Sequence, residues 1–149
     1  MTLLVNPGGY PAFTAQYTQQ RHKHRVTMNR ISVNVTTAYV ESQSSPEESH
    51  FVFTYSISIK NTGSAAARLL NRHWIITDAN GKVQEVVGEG VVGEQPLLQP
   101  GEDFHYTSGT SLETPVGSMY GSYQMRAENG DHFDAPIAPF TLAIPRSLN

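Results

Sequence analysis

From Ile31 onward, apolar and polar residues alternate along the chain in a series of short runs. The clearest run is Phe51 to Ile59, in which every second residue is a large apolar side chain and the residues between are Val, Thr or Ser. A period of two places one face of a β-strand in a core and the other face in solvent. A first strand is predicted to begin at Ile31, and a third, from about Arg68 to Thr77, carries the only tryptophan, Trp74.

Turn-forming sequences separate these runs and predict hairpins. Asn80-Gly81 and Asn129-Gly130 are Asn-Gly pairs, which tolerate the positive φ angles of tight turns. Further strands are predicted from Lys82 to Val87, around Phe104 and Tyr106, from about Gly117 to Ala127, and from Phe140 to Ile144. About seven short strands with frequent turns predict an all-β fold, a two-sheet antiparallel sandwich of the immunoglobulin or fibronectin III type. A barrel is the less favoured alternative.

Length and composition favour one domain without covalent or metal cross-links. A chain of 149 residues can bury a sizeable core, and it contains no cysteine for disulfides or zinc thiolates. The strand pattern predicts a single domain over 28–146, preceded by a polar, basic and flexible N-terminal extension over 1–27 and followed by a tail over 147–149. No apolar run approaches the roughly 20 residues that span a bilayer, and no secretory signal is recognisable. We therefore expect a cytoplasmic protein with no membrane partner.

Charge divides the chain into a basic leader and an acidic body. The net charge is -3, but the first acidic residue is Glu41, and all 13 acids follow from there. Nucleic-acid binding depends on neutralising phosphates with Lys and Arg, so the acidic body predicts no nucleic-acid partner. The basic cluster from Arg21 to Arg25 suits a nucleic-acid or targeting arm, although its shortness favours a solvated extension.

The segment Gly88 to Gly93, which we call the glycine loop, has the G-x-G-x-x-G spacing of phosphate-binding loops. Those loops open a helix, whereas Pro96 follows here and predicts that no helix begins. The acidic side chains in the loop would also repel phosphate, unless Mg²⁺ held by Glu89 or Glu94 reduced the repulsion. A tight connection that needs glycine freedom and a partner-recognition loop are therefore favoured over phosphate capture. The candidate binding residues are Gly88, Glu89, Gly90, Gly93 and Glu94, with Arg72 and His73 as contact residues on a neighbouring strand.

Candidate metal ligands and nucleophiles lack diagnostic spacing. The side chains suited to a metal match no zinc or calcium pattern, and Asp131 to Asp134 is predicted to be a solvated hairpin tip. Serines near glycines do not form G-x-S-x-G. We therefore assign no metal site, no cofactor and no catalytic residue, and expect no enzyme activity. The side chains weighed were His73, His105, His132, Asp103, Asp131, Asp134, Ser108, Ser111 and Ser118.

Several separated blocks together resemble the bacterial ApaG family. They are Asn71-Arg72-His73-Trp74, Val86 to Pro96, Leu98 to Glu102, Tyr106 to Gly109 and Gly117 to Gly121. The resemblance runs from about Met28 to Pro145. It implies a fibronectin-like sandwich, an association with cobalt and magnesium resistance, and no established enzyme activity. Related domains in a eukaryotic F-box protein and in a polymerase-interacting protein look like interaction modules.

Two functional hypotheses follow from the residues and the resemblance. The favoured one is a non-enzymatic protein–protein interaction module, whose glycine loop and neighbouring strand bind an unidentified protein. The alternative is a small-ligand protein that binds a divalent metal such as Mg or Co, or a metal-nucleotide pyrophosphate, at the glycine loop. Free sheet edges could also support a homodimer.

Overall fold

In the computed structural model, which describes residues 29 to 145, eight β-strands form two antiparallel sheets. In chain order the strands are β1 (Ile31–Tyr39), β2 (Phe51–Asn61), β3 (Ala67–Asp78), β4 (Val83–Glu89), β5 (Leu97–Leu98), β6 (Asp103–Leu112), β7 (Val116–Ala127) and β8 (His132–Ala143). Two 3₁₀ turns, Glu41–Gln43 and Pro46–Glu48, lie between β1 and β2. The predicted extension and tail lie outside the described residues, so the predicted domain bounds stay predictions.

The three-stranded sheet has one interior strand, and the five-stranded sheet has two long interior strands. The three-stranded sheet has the order β1-β2-β6, and the five-stranded sheet has the order β4-β3-β7-β8 with the short β5 also paired to β3. All of these pairs are antiparallel. The prediction of an all-β, two-sheet antiparallel sandwich is confirmed.

The core lies between the two sheets and is centred on Trp74, whose side chain is 2% exposed. Its ring makes an edge contact with Tyr55 of the other sheet, with centroids 5.4 Å apart. On its own sheet it contacts Tyr123 and Phe140, at centroid distances of 6.4 and 5.8 Å. Aromatic side chains bury large areas in such contacts. The predicted core role of Trp74 and of the aromatic face of β2 is confirmed.

The last strand is longer than the sequence pattern predicts. It begins at His132, which pairs with Arg126, and Asp134 pairs with Gln124. The interpretation of Asp131 to Asp134 as a hairpin tip is therefore wrong, because all but the first of these residues belong to β8. Pro136 and Pro139 obscure the strand signal, but β8 is an edge strand, where a missing N–H is tolerated.

Both Asn-Gly pairs form hairpin turns, but of a different type from the expected one. Only the glycines have positive φ, 83° at Gly81 and 93° at Gly130. The Gly81 N–H donates to the Asp78 carbonyl at 3.1 Å, and the Asp78 N–H donates to the Lys82 carbonyl at 3.0 Å. This is a type I turn followed by a left-handed glycine, the usual three-residue hairpin connection. Each asparagine therefore avoids positive φ.

A pair of tyrosines is buried between the sheets. Tyr106 of β6 and Tyr123 of β7 share a hydrogen bond between their hydroxyl oxygens at 2.5 Å, and Tyr123 is fully buried. Burial removes the water that would stabilise a phenolate, and this raises the pKa of Tyr106 to about 12. Burial also raises the pKa of Tyr123, and the neighbouring Tyr106 raises it further.

We expect this pair to make the fold sensitive to alkaline pH. The unfolded tyrosines ionise near pH 10, while the folded Tyr106 resists ionisation up to about pH 12. Stability is therefore fully present below pH 10 and falls as the pH rises from there to about 12, with a slope approaching about 1.4 kcal/mol per pH unit for each tyrosine. Urea unfolding at stepped pH measures this slope. The double variant Tyr106→Phe/Tyr123→Phe should lose most of the pH dependence, and an equal fall in that variant would contradict the assignment.

Candidate functional site

The glycine loop belongs to an excursion of the chain, over 90–96, that leaves the edge of β3 at the end of β4 and returns to it as β5. The register of β4 on β3 ends with Glu89 opposite Asn71, and β5 rejoins β3 with Leu97 opposite Arg68. Between them, the Gly90 N–H donates to the Leu70 carbonyl at 2.8 Å, and the Leu69 N–H donates to the Pro96 carbonyl at 3.0 Å. The excursion therefore leaves and returns at neighbouring residues of β3.

The tip of the excursion is a tight β-turn. The Val91 N–H donates to the Glu94 carbonyl at 2.8 Å, and the Glu94 N–H donates back to the Val91 carbonyl at 2.9 Å. The two central residues, Val92 and Gly93, have φ of 42° and 84°. Two successive positive φ angles are the mark of a type I′ turn. No helix follows the loop, as Pro96 predicted, since the chain continues into β5.

Arg72 fixes the start of the loop by lying across Gly88. These two residues are directly opposite on β3 and β4, and a methyl group added at Gly88 would lie 2.7 Å from the Arg72 Cζ. The Arg72 Nη1 donates to the carbonyls of Glu89 and Gly90, at 3.0 and 2.9 Å. Gly88 is therefore required by the close approach of a guanidinium, and Arg72 is committed to holding the loop.

The other two glycines of the motif serve the backbone path. Gly90 has φ of 66°, and a side chain there would collide with the Glu94 carbonyl. Gly93 occupies a left-handed turn position and faces open space. Only glycine adopts such angles without cost. The spacing that resembles a phosphate-binding motif is thus explained by one close contact and two left-handed positions.

The loop offers little to an anion or a metal. The N–H groups of Gly90, Val91 and Glu94 all donate to carbonyls of the protein itself, and the carbonyls of Glu89 and Gly90 accept from Arg72. Within residues 29 to 145, no three His, Asp or Glu side chains are close enough to hold a metal ion. Metal-nucleotide binding at the loop gains no support from this geometry and stays a prediction.

The structure separates most of the other candidate side chains. His73 lies on the outer face of β3, where its Nε2 is 2.5 Å from the Glu85 Oε2 of β4. His105 lies on β6 in the other sheet, 3.2 Å from Asp103, and His132 lies on the edge strand β8. The candidate serines are also divided between sheets, with Ser108 and Ser111 on β6 and Ser118 on β7. Of the candidate side chains, the two predicted contact residues do lie near the loop. Arg72 contacts the glycine loop, and His73 contacts β4.

Sequence reasoning missed the exposed apolar edge beside the loop. β4 is an edge strand of the five-stranded sheet. Apolar side chains along it and beyond it are exposed, at 59% for Val83, 71% for Val87, 55% for Val92 and 45% for Leu97. These side chains follow one another along β4, the loop and β5. The consecutive valines Val86-Val87 and Val91-Val92 were the available signal, because a half-buried strand would not place two adjacent valines both in a core.

Comparison with known proteins gives the family. Residues 41–127 match the ApaG domain. This chain belongs to the ApaG family. Among its relatives, Protein ApaG of Azoarcus sp. (strain BH72) is 63% identical over 120 residues, which cover 80% of this chain and 94% of that relative. Protein ApaG of Methylobacillus flagellatus is 61% identical over 119 residues, with the same coverage.

A solved structure agrees with the fold. The crystal structure of a protein described as ApaA from Bordetella pertussis is similar to this chain with a TM-score of 0.79 and 53% identity. The match covers 81% of this chain and 98% of the Bordetella chain. The predicted family is therefore confirmed, and these names state no activity. The helical segments in the described part of this ApaG-family chain are two short 3₁₀ turns, and neither could span a bilayer.

We expect the contact between Arg72 and Gly88 to contribute measurably to the free energy of unfolding. Gly88→Ala should push the guanidinium away from two loop carbonyls and destabilise the fold by about 1 to 3 kcal/mol. In an Arg72→Ala background the same change should cost less than about 0.5 kcal/mol, because no guanidinium remains to be displaced. Urea denaturation of the four chains completes this double-mutant cycle. An equal cost in both backgrounds would show that the contact does not explain Gly88.

Proposed function

We propose that this ApaG-family protein is a non-enzymatic interaction module of the bacterial cytoplasm. It binds an extended segment of another protein along the free edge of β4, and Val92 at the tip of the glycine loop contacts that partner. The observation that carries the proposal is the strained, exposed valine beside an open strand edge.

The first support is the direction in which the backbone N–H and C=O groups of β4 point. The Gly90 N–H donates to the Leu70 carbonyl and the Asp78 N–H donates to the Lys82 carbonyl, so even-numbered residues of β4 form the hydrogen-bonded pairs with β3. In an antiparallel ladder, the intervening residues Val83, Glu85 and Val87 then point their N–H and C=O groups away from the sheet. An added strand pairs with such groups.

The second support is the contrast between the two edges of this sheet. Prolines and charged side chains, lysine above all, protect edge strands from pairing with other chains. The opposite edge, β8, contains Pro136 and Pro139, whereas β4 contains neither proline nor lysine. The edge beside the glycine loop is therefore the one that stays open to a partner strand.

The third support is the strained, left-handed backbone conformation of Val92. A β-branched residue with positive φ is a rare outlier, and the left-handed conformation costs roughly 1 to 2 kcal/mol. Asn or Gly fits a type I′ turn without this cost. Since Val92 is 55% exposed, burial in the core does not offset the strain. Strain at an exposed apolar side chain favours a role in contact with another molecule.

The charges near this edge define the chemistry of the partner. Glu85, Glu89 and Glu94 flank the exposed valines. A complementary segment would alternate apolar side chains with Lys or Arg. On this proposal, the association with cobalt and magnesium resistance that the family resemblance implies acts through the bound protein and requires no metal on this chain.

The variant Val92→Asn separates stability from binding. We expect it to stabilise the fold by about 1 to 2 kcal/mol, because asparagine tolerates the left-handed turn position. We also expect it to lose the proteins that the wild-type full chain enriches from cells, as measured by quantitative affinity mass spectrometry. Val87→Lys should lose the same proteins by placing a charge on the edge.

The matched control is Val116→Asn, which changes an exposed valine away from β4 and its loop. It should keep the partners of the wild type. Retention of every partner by both Val92→Asn and Val87→Lys would overturn the proposal, and so would loss of the same partners in the control.

A further inference from the structure

Two arginines face each other on the five-stranded sheet. Arg68 of β3 and Arg126 of β7 are directly opposite in the register, a position where like charges destabilise a sheet. Cationic side chains are scarce in the described part of the chain, which contains six Lys and Arg residues against 13 acidic residues. The cationic residues in the described part of the chain are Arg30, Lys60, Arg68, Arg72, Lys82 and Arg126. Placing two of these few side chains opposite each other is unexpected from stability alone.

The two arginines line a pocket of about 320 Å³ together with Leu97, Gln99 and Glu128. Among residues 29 to 145, basic and acidic side chains lie within 4.0 Å of each other in the pairs His73–Glu85, Lys82–Glu113 and His105–Asp103. Within that range, neither Arg68 nor Arg126 has a carboxylate oxygen within 4.0 Å. The pocket therefore contains two guanidinium groups whose charges are not neutralised by direct pairing.

Neighbouring groups hold the wall of this pocket in place. The Arg68 Nη1 donates to the Gln95 carbonyl at 2.7 Å, which anchors one corner of the guanidinium and leaves its other N–H groups for a ligand. The Glu128 Oε1 accepts from the Ala66 N–H at 3.3 Å, so this carboxylate is held at the rim. Two guanidinium groups against one carboxylate leave the pocket with a positive formal charge.

We propose that this pocket binds a phosphate group, as free phosphate or as a phosphomonoester. Guanidinium groups present fork-like pairs of N–H donors that match the oxygens of phosphate. Two guanidinium groups beside one ligand offer several N–H donors, and the separate oxygens of a phosphate accept them with less crowding than the two oxygens of a carboxylate. Leu97, 45% exposed, would contact the organic part of a phosphomonoester. The pocket adjoins the exposed edge at Leu97, but no residue of β4 lines it, so phosphate binding goes beyond the proposed interaction function.

The test is a titration of the full chain with inorganic phosphate at constant ionic strength, followed by amide and arginine Nε–H resonances. We expect saturable shifts at Arg68, Leu97 and Arg126. Arg126→Gln should weaken binding about tenfold or more, because it removes one charged donor pair. Arg30→Gln, a surface arginine outside the pocket, should leave the affinity unchanged.

Two further readouts distinguish a binding role from a structural one. Without phosphate, Arg126→Gln should unfold at the same or a higher temperature than the wild type, because the repulsion from Arg68 is relieved. At the same phosphate concentration, the unfolding temperature of the wild type should rise more than that of this variant. Glu128→Gln should strengthen phosphate binding, since it removes the opposing charge while keeping an oxygen for the Ala66 N–H.

The outcomes decide between acceptance and rejection. No saturable shift, equal binding of acetate, or weaker binding in Glu128→Gln would each overturn the proposal. If Arg126→Gln does not fold, the Glu128→Gln titration decides alone. Tighter binding of glycerol phosphate than of inorganic phosphate would assign an organic phosphomonoester, and equal binding would assign free phosphate.

Discussion

The burial of Trp74 between the sheets fixes the register of β3, and every candidate feature depends on that register. A slip of one residue would turn Trp74 to solvent and lose its contacts with Tyr55, Tyr123 and Phe140. With Trp74 inward, the alternation of side chains places Arg72 on the same face, where it covers Gly88. It also places His73 on the outer face beside Glu85. The core therefore positions the site through the backbone of one strand.

A β-bulge between Leu69 and Asn71 of β3 links the pocket to the loop. Leu69 and Trp74 are both buried although strict alternation would place them on opposite faces, so the bulge reverses the alternation and turns Arg68 outward to face Arg126. The glycine loop leaves and rejoins the opposite side of β3 at Leu70 and Leu69. One irregularity in a central strand thus accounts for the arginine pocket and for the place where the open edge is interrupted.

The sequence was sufficient for features that depend on local pattern and insufficient for those that depend on register. The alternation in β2 predicted its buried face, and Pro96 predicted that no helix follows the glycine loop. The start of β8 was missed because Pro136 and Pro139 resemble a loop, although an edge strand tolerates them. Neither the contact of Arg72 with Gly88 nor the pairing of Arg68 with Arg126 was predicted. The first depends on the register of β4 on β3, and the second depends on a bulge that no residue type marks.

The central claim is that the β4 edge of this ApaG-family protein receives a partner chain. Site-specific photo-crosslinking in living cells tests it most directly, with the probe at Val87 and, as a control, at Thr141 on the opposite edge strand β8. Both positions are exposed. If a partner chain pairs with β4, position 87 should give a discrete protein adduct and position 141 should give none. The absence of an adduct at position 87, or the same adducts from both edges, would contradict it.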